Sequence, residues 1–165
     1  MSIVKLKNPK TELYNNLKNL ILGCDFEWKY LKADVDTNRV TQRKSFEIMS
    51  NYVSEYGIDR NEFQPSPFYV HPFIQRADYQ FLFPRVKSSH MYDVNEVICE
   101  ILNYNSNIIL ENNIPFNMMC RCVANAKDGV GDRIVKCAPH VDHNFPHKNM
   151  LIYLTDAGGS TFVEG

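Results

Sequence analysis

The sequence predicts an α+β domain, mainly β, with helices near its N-terminal end packed on one side of a sandwich or barrel. Three observations predict it. Apolar residues recur at helical spacing in stretches of the first 110 residues. Past residue 115 the pattern changes to short runs separated by turn residues. Aromatic residues reach 12%, with ten Phe and nine Tyr, which suits strands and a filled interior better than a plain helix bundle.

The elements follow in order. Asn8-Pro9 reads as an N-cap with Pro at the first helical position. Leu13, Leu17, Leu20 and Ile21 then mark a helix that Gly23 ends. Phe26, Trp28 and Tyr30 alternate and predict a strand. Residues 32–44 are polar and read as a loop. Phe46, Met49, Val53 and Tyr56 line a second helix that stops at Gly57. Phe68–Phe73 and Tyr79–Phe83 read as short strands, the first near an edge because of Pro72. Asp93 opens the clearest helix, with Val94, Val97, Ile98, Ile101 and Leu102 on one face and Glu96 and Glu100 off it. Strands are predicted at Phe116–Ala124, at Ile134–Cys137 leading to a second near His140, at Met150–Leu154, and from Ser160 to Val163. Turns at Asp128–Gly131 and Thr155–Gly159 separate them. There are no repeats and no low-complexity tract.

The 165 residues suffice for one domain with its own core. Hydrophobic residues at 44% and charged residues at 22% exclude a disordered chain. A net charge of -1 leaves no basic surplus for nucleic acid or an anionic membrane. No apolar stretch is long enough to span a bilayer, and Met1-Ser2-Ile3-Val4-Lys5 lacks the apolar run of a secretion signal. The five cysteines, Cys24, Cys99, Cys120, Cys122 and Cys137, show no disulfide-framework spacing, so reduced thiols in a cytoplasmic setting are expected. Cys120 and Cys122 form a C-x-C, read as two small residues on one strand face rather than a metal pair.

His140-Val141-Asp142 is the chemical centre. In a strand, residues i and i+2 point to one face, so an imidazole and a carboxylate stand side by side. With one further His they form a two-His, one-carboxylate triad that leaves open positions on non-haem Fe(II). Alone, H-x-D is a very weak signal and reads far more readily as a surface His beside a turn Asp than as a metal site. A short polar loop follows it, then Leu151-Ile152-Tyr153-Leu154, then Gly158-Gly159-Ser160-Thr161-Phe162. This order resembles the prolyl-hydroxylase-like branch of the Fe(II)/2-oxoglutarate-dependent dioxygenases. Members there carry H-x-D, a Tyr-Leu-(Asn) strand, a Gly-Gly turn, and a strand with a small or apolar residue two places later. Thr155 stands where the family has Asn. The resemblance is strong over about residues 116–165, and Asp25–Tyr30 and Phe68–Phe73 resemble segments of viral and bacterial members.

The resemblance implies a double-stranded β-helix (jelly-roll) core behind an N-terminal layer. Residues 1–110 would form that layer of helices and strands, and 111–165 the first half of the core. It implies His140 and Asp142 as iron ligands, Tyr153 with its hydroxyl on the distal carboxylate of 2-oxoglutarate, and Thr161 facing the same pocket. Tyr153 as an ordinary core tyrosine stays open beside that. Arg121 and Asn125 share a face of the preceding strand if it is regular; they line the pocket or satisfy buried hydrogen bonds. Lys148 has no family match and reads as solvated. The implied activity is hydroxylation of a small-molecule or protein substrate, with Fe(II), 2-oxoglutarate and dioxygen, giving succinate and CO2. A cytoplasmic setting is expected, the host cytoplasm if the chain is viral. No nucleic-acid or membrane partner is indicated, and neither substrate nor oligomeric state is legible.

The family's second iron-binding His lies on a later strand, followed by Arg or Lys that pairs with the co-substrate. The sequence reaches Gly165 before either, so the expectation is a single domain incomplete at its C-terminus by on the order of 40 residues. His143 and His147 are poorly placed for that role, which needs a ligand from across the barrel. The string His140, Asp142, His143, His147 also permits a structural Zn(II) site. Two rivals stand beside the enzyme: a non-catalytic β-fold binding protein and a cupin-like metal protein.

Overall fold

A computed structural model of the chain describes residues 3–31, 68–75, 84–116, 118–127 and 146–156. The order of elements is α1 (Glu12–Leu22), β1 (Lys29–Leu31), β2 (Phe68–Gln75), β3 (Arg85–Val86), α2 (Met91–Tyr104), α3 (Ser106–Glu111) and β4 (Cys122–Ala126). Helices and an antiparallel sheet coexist, so the α+β class holds. The predicted helix at 46–56 and the strands at Tyr79–Phe83, Ile134–Cys137, His140 and Ser160–Val163 lie outside the described residues. The chain divides into two compact units, one of Met1–Phe26, Pro72–Val123 and Asn149–Gly165, the other of Glu27–His71 and Ala124–Lys148.

The first unit is built on two amphipathic helices. On α1, Tyr14, Leu17 and Ile21 are buried, at the i, i+3, i+7 spacing that puts them on one face. Leu13, expected on that face, is 39% exposed, and Tyr14 takes the core position instead. On α2, Val94, Val97 and Ile101 are buried, and Val97 is 1% exposed. The helix begins two residues before Asp93. The two helices pack on each other, and Phe26, Phe73 and Ile74 complete the apolar core. Phe26 and Phe73 meet with ring centroids 6.2 Å apart.

The helix boundaries correct the sequence reading in two places. Asn8 does not cap α1; its Oδ1 accepts from the Lys10 N–H at 2.9 Å, a local turn. Thr11 is the N-cap, its Oγ1 accepting from the Tyr14 N–H at 3.2 Å while its hydroxyl donates to the Glu100 carboxylate. Asn105 separates α2 from α3, which the sequence reading missed. Its side-chain amide is 2% exposed. Oδ1 accepts from the Lys7 N–H at 2.8 Å, and Nδ2 donates to the Lys7 and Ile101 carbonyls at 2.7 and 2.6 Å. The side chain therefore acts toward Lys7 as a neighbouring strand would, and ties the segment ahead of α1 to the α2–α3 junction.

β2 is the sheet's common member. Its start pairs with β1, in the register Lys29↔Val70, Tyr30↔Tyr69 and Leu31↔Phe68. Its end pairs with β3, in the register Ile74↔Val86 and Gln75↔Arg85. β4 also pairs with β2, giving four strands. Pro72 was expected to mark an edge. It instead falls between the register with β1, which ends at Val70, and that with β3, which begins at Ile74, so its missing N–H costs neither ladder a bond. The strand expected over Phe116–Ala124 is met only in part: β4 begins at Cys122, past the described residues 116 and 118–121, and residues 150–154 form no strand among the described residues. Sheet pairing is a tertiary choice that local apolar patterning does not decide.

Candidate functional site

His140 and Asp142, the metal pair expected from the sequence, lie outside the described residues, as do His143 and Thr161. The described candidates are Arg121, Asn125 and Tyr153, of which Asn125 alone lies in an element. Arg121 is half-buried just ahead of β4 in the first unit. Asn125 is an exposed position of β4 in the second unit. Tyr153 belongs to the first unit and is 57% exposed, so it is not a core tyrosine. Its backbone carbonyl accepts a hydrogen bond from the buried Tyr14 hydroxyl on α1 at 3.3 Å. His147 is half-buried and Lys148 exposed, the latter as expected.

Among the described residues no three His, Cys, Asp or Glu side chains gather where they could hold a metal ion. Burial pushes the Cys122 thiol up to about 11, against a smaller downward pull from Arg121. A thiol held protonated is neither a metal ligand nor a nucleophile near neutral pH. Cys120 is half-buried beside it, while Cys24 and Cys99 are exposed. The reading of Cys120 and Cys122 as two small residues on one strand face is not met, since Cys120 lies ahead of β4, which begins at Cys122.

The sequence reading passed over His71. It sits in β2 within the second unit, 9% exposed, with Nδ1 2.7 Å from the Glu27 carbonyl. A carbonyl only accepts, so Nδ1 carries the proton in this contact. A single His in a strand gives no sequence signal for it. A second polar group opens α2. His90 stacks near Phe26 at 6.1 Å and stands 3.6 Å from the Asp93 carboxylate. Hydrogen bonding to Glu96 raises the Tyr92 phenol above its usual range. Among the described residues no helix is long and apolar enough to cross a membrane.

No protein-family model, no curated protein and no solved structure matches the chain.

Proposed function

We propose that this chain is an Fe(II)- and 2-oxoglutarate-dependent oxygenase that hydroxylates a small-molecule or protein substrate, with succinate and CO2 as co-products. The observation that carries the reading is the ordered motif His140-Val141-Asp142, Leu151–Leu154, Gly158-Gly159 and Thr161, together with its resemblance to the prolyl-hydroxylase-like branch. The reading takes the sheet as part of a double-stranded β-helix core. One structural observation supports it: Tyr153 presents an accessible side chain from a backbone that Tyr14 anchors.

In this reading His140 and Asp142 would hold the metal. Bound iron would supply the redox chemistry that couples oxidative decarboxylation of 2-oxoglutarate to hydroxylation. The chain's own share would be binding and orientation: the Tyr153 hydroxyl would donate to the distal carboxylate of the co-substrate, with Thr161 assigned to the same pocket by the resemblance. Fixing the co-substrate by a directed hydrogen bond limits the orientations open to it before reaction.

The test is metal-dependent succinate release, measured with Mn(II) or Fe(II) affinity in the same preparations. His140→Ala and Asp142→Ala should each lower metal affinity and abolish release. Metal binding that survives both substitutions sinks the assignment. Turnover by residues 1–165 alone would make His143 and His147 the first residues to test as the third ligand. The second reading is a non-catalytic binding protein. It is favoured by Leu151 and Tyr153, 60% and 57% exposed on a stretch outside any described strand, and its signature is bound metal and 2-oxoglutarate without succinate.

A further inference from the structure

We propose that the surface formed by α3 and the chain on either side of it is where two copies of this protein meet. α3 buries no residue of its own. Leu110 on it is 77% exposed, and Tyr104 before it and Phe116 and Met118 after it are exposed as well. All four lie in the first unit. The helix closes with the Asn113 N–H donating to the Leu110 carbonyl at 3.1 Å and the Ile114 N–H to the Ile109 carbonyl at 3.0 Å, with Asn113 at φ 47°. This left-handed cap fixes the turn that leads from Leu110 towards Phe116, so the apolar side chains leave a hydrogen-bonded backbone. Charge selects the occupant. Of the 18 basic and 19 acidic residues in the chain, only Glu111 falls between positions 101 and 120. Nucleic acid and an anionic membrane both need cations at such a surface. A charged protein surface would lose its hydration here and find no opposite charge. An uncharged surface of the same kind meets neither penalty, and a second copy supplies it. The exposed amides of Asn103, Asn107 and Asn113 suit that pairing. An amide both donates and accepts, so it complements itself across a twofold axis, as Lys or Glu does not. α3 therefore packs on α3 of the second copy, with Leu110 near the axis.

The test is the mass of the full chain in solution, measured by sedimentation equilibrium. The parent should move from the 19.2 kDa of one chain towards twice that mass as concentration rises. One short helix with its flanks is at the small end of specific interfaces, so the dimer Kd should be about 10–100 µM. Leu110→Glu and Leu110→Lys each set like charges face to face at the axis and should raise Kd about tenfold or more. Mixed in equal amounts, the two variants should dimerise with each other, which a variant that had merely unfolded would not do. Val86→Glu puts the same charge on an exposed apolar position of β3 and should leave Kd unchanged. A parent that stays monomeric well above the expected Kd, or that grows past a dimer, overturns the proposal. So does a Leu110→Glu chain that dimerises like the parent, a Val86→Glu chain weakened as much as Leu110→Glu, or a mixture of the two Leu110 variants that stays monomeric.

Discussion

The Asn105 side chain makes three hydrogen bonds. It presents a donor and an acceptor to one residue, and both are met at Lys7. Truncation leaves the Lys7 N–H and the Lys7 carbonyl to find partners in a part-buried place, while the Ile101 carbonyl keeps the Asn105 N–H at 3.2 Å. Asn105→Ala should therefore lower unfolding free energy by about 2–3 kcal/mol, read as a lower urea midpoint. A midpoint within error of the parent would show that water replaces the amide without loss. Cys122 makes a prediction in pH. Its thiol ionises at about 11 in the folded chain against an ordinary 9.0. The folded pKa is raised, so the neutral thiol's contribution is fully present below the unfolded value and is lost as pH rises through the folded one. Stability should fall between these two values, and Cys122→Ala should flatten that part of the fall. Alkylation mapped by mass spectrometry near neutral pH should reach Cys24 and Cys99 well before Cys122.

At the scale of elements, Thr11 does two jobs, capping α1 and binding Glu100. Thr11→Ala should cost about 1–2 kcal/mol, whereas Asn8→Ala should cost only a few tenths. Equal costs would return the cap to Asn8. The two helices were legible because a buried stripe at helical period is written into the chain itself. Val94, Val97 and Ile101 on α2 were found this way, as were Leu17 and Ile21 on α1. The N-cap was missed because Asn8-Pro9 and Thr11 both carry good signals, and the choice depends on Glu100, distant in sequence. α3 was missed because Ile108, Ile109 and Leu110 show no periodicity in so short a run, and the element buries no residue. Pro72 misled because the rule about edges assumes an unbroken ladder, and β2 changes partner at that point. Of the candidate site, residue types and order were legible. The anchoring of Tyr153 by Tyr14 was not, since a bond across 139 positions leaves no local pattern.

At the scale of the whole molecule, the buried hydrophobic residues among those described run from Tyr14 on α1 to Ile101 on α2 and all fall in the first unit. The metal pair of the proposed function, His140 and Asp142, falls in the sequence range of the second. A ligand that binds only the folded chain stabilises it in proportion to its excess over Kd, about 2.7 kcal/mol at a hundredfold excess. Mn(II) with 2-oxoglutarate should therefore raise the Tm of the parent chain and leave that of Asp142→Ala where it was. An equal rise in both would place the metal elsewhere.

The Asn105 clamp also sets a timetable for the newborn chain. Lys7 emerges early, but the amide that holds it lies 98 positions later. At ordinary rates of synthesis that separation is a wait of roughly 5–20 seconds. For that interval α1 has neither its helical partner nor its tether. A nascent chain halted short of residue 105 should expose Tyr14, Leu17 and Ile21 to proteases and chaperones, and release past that point should withdraw them together.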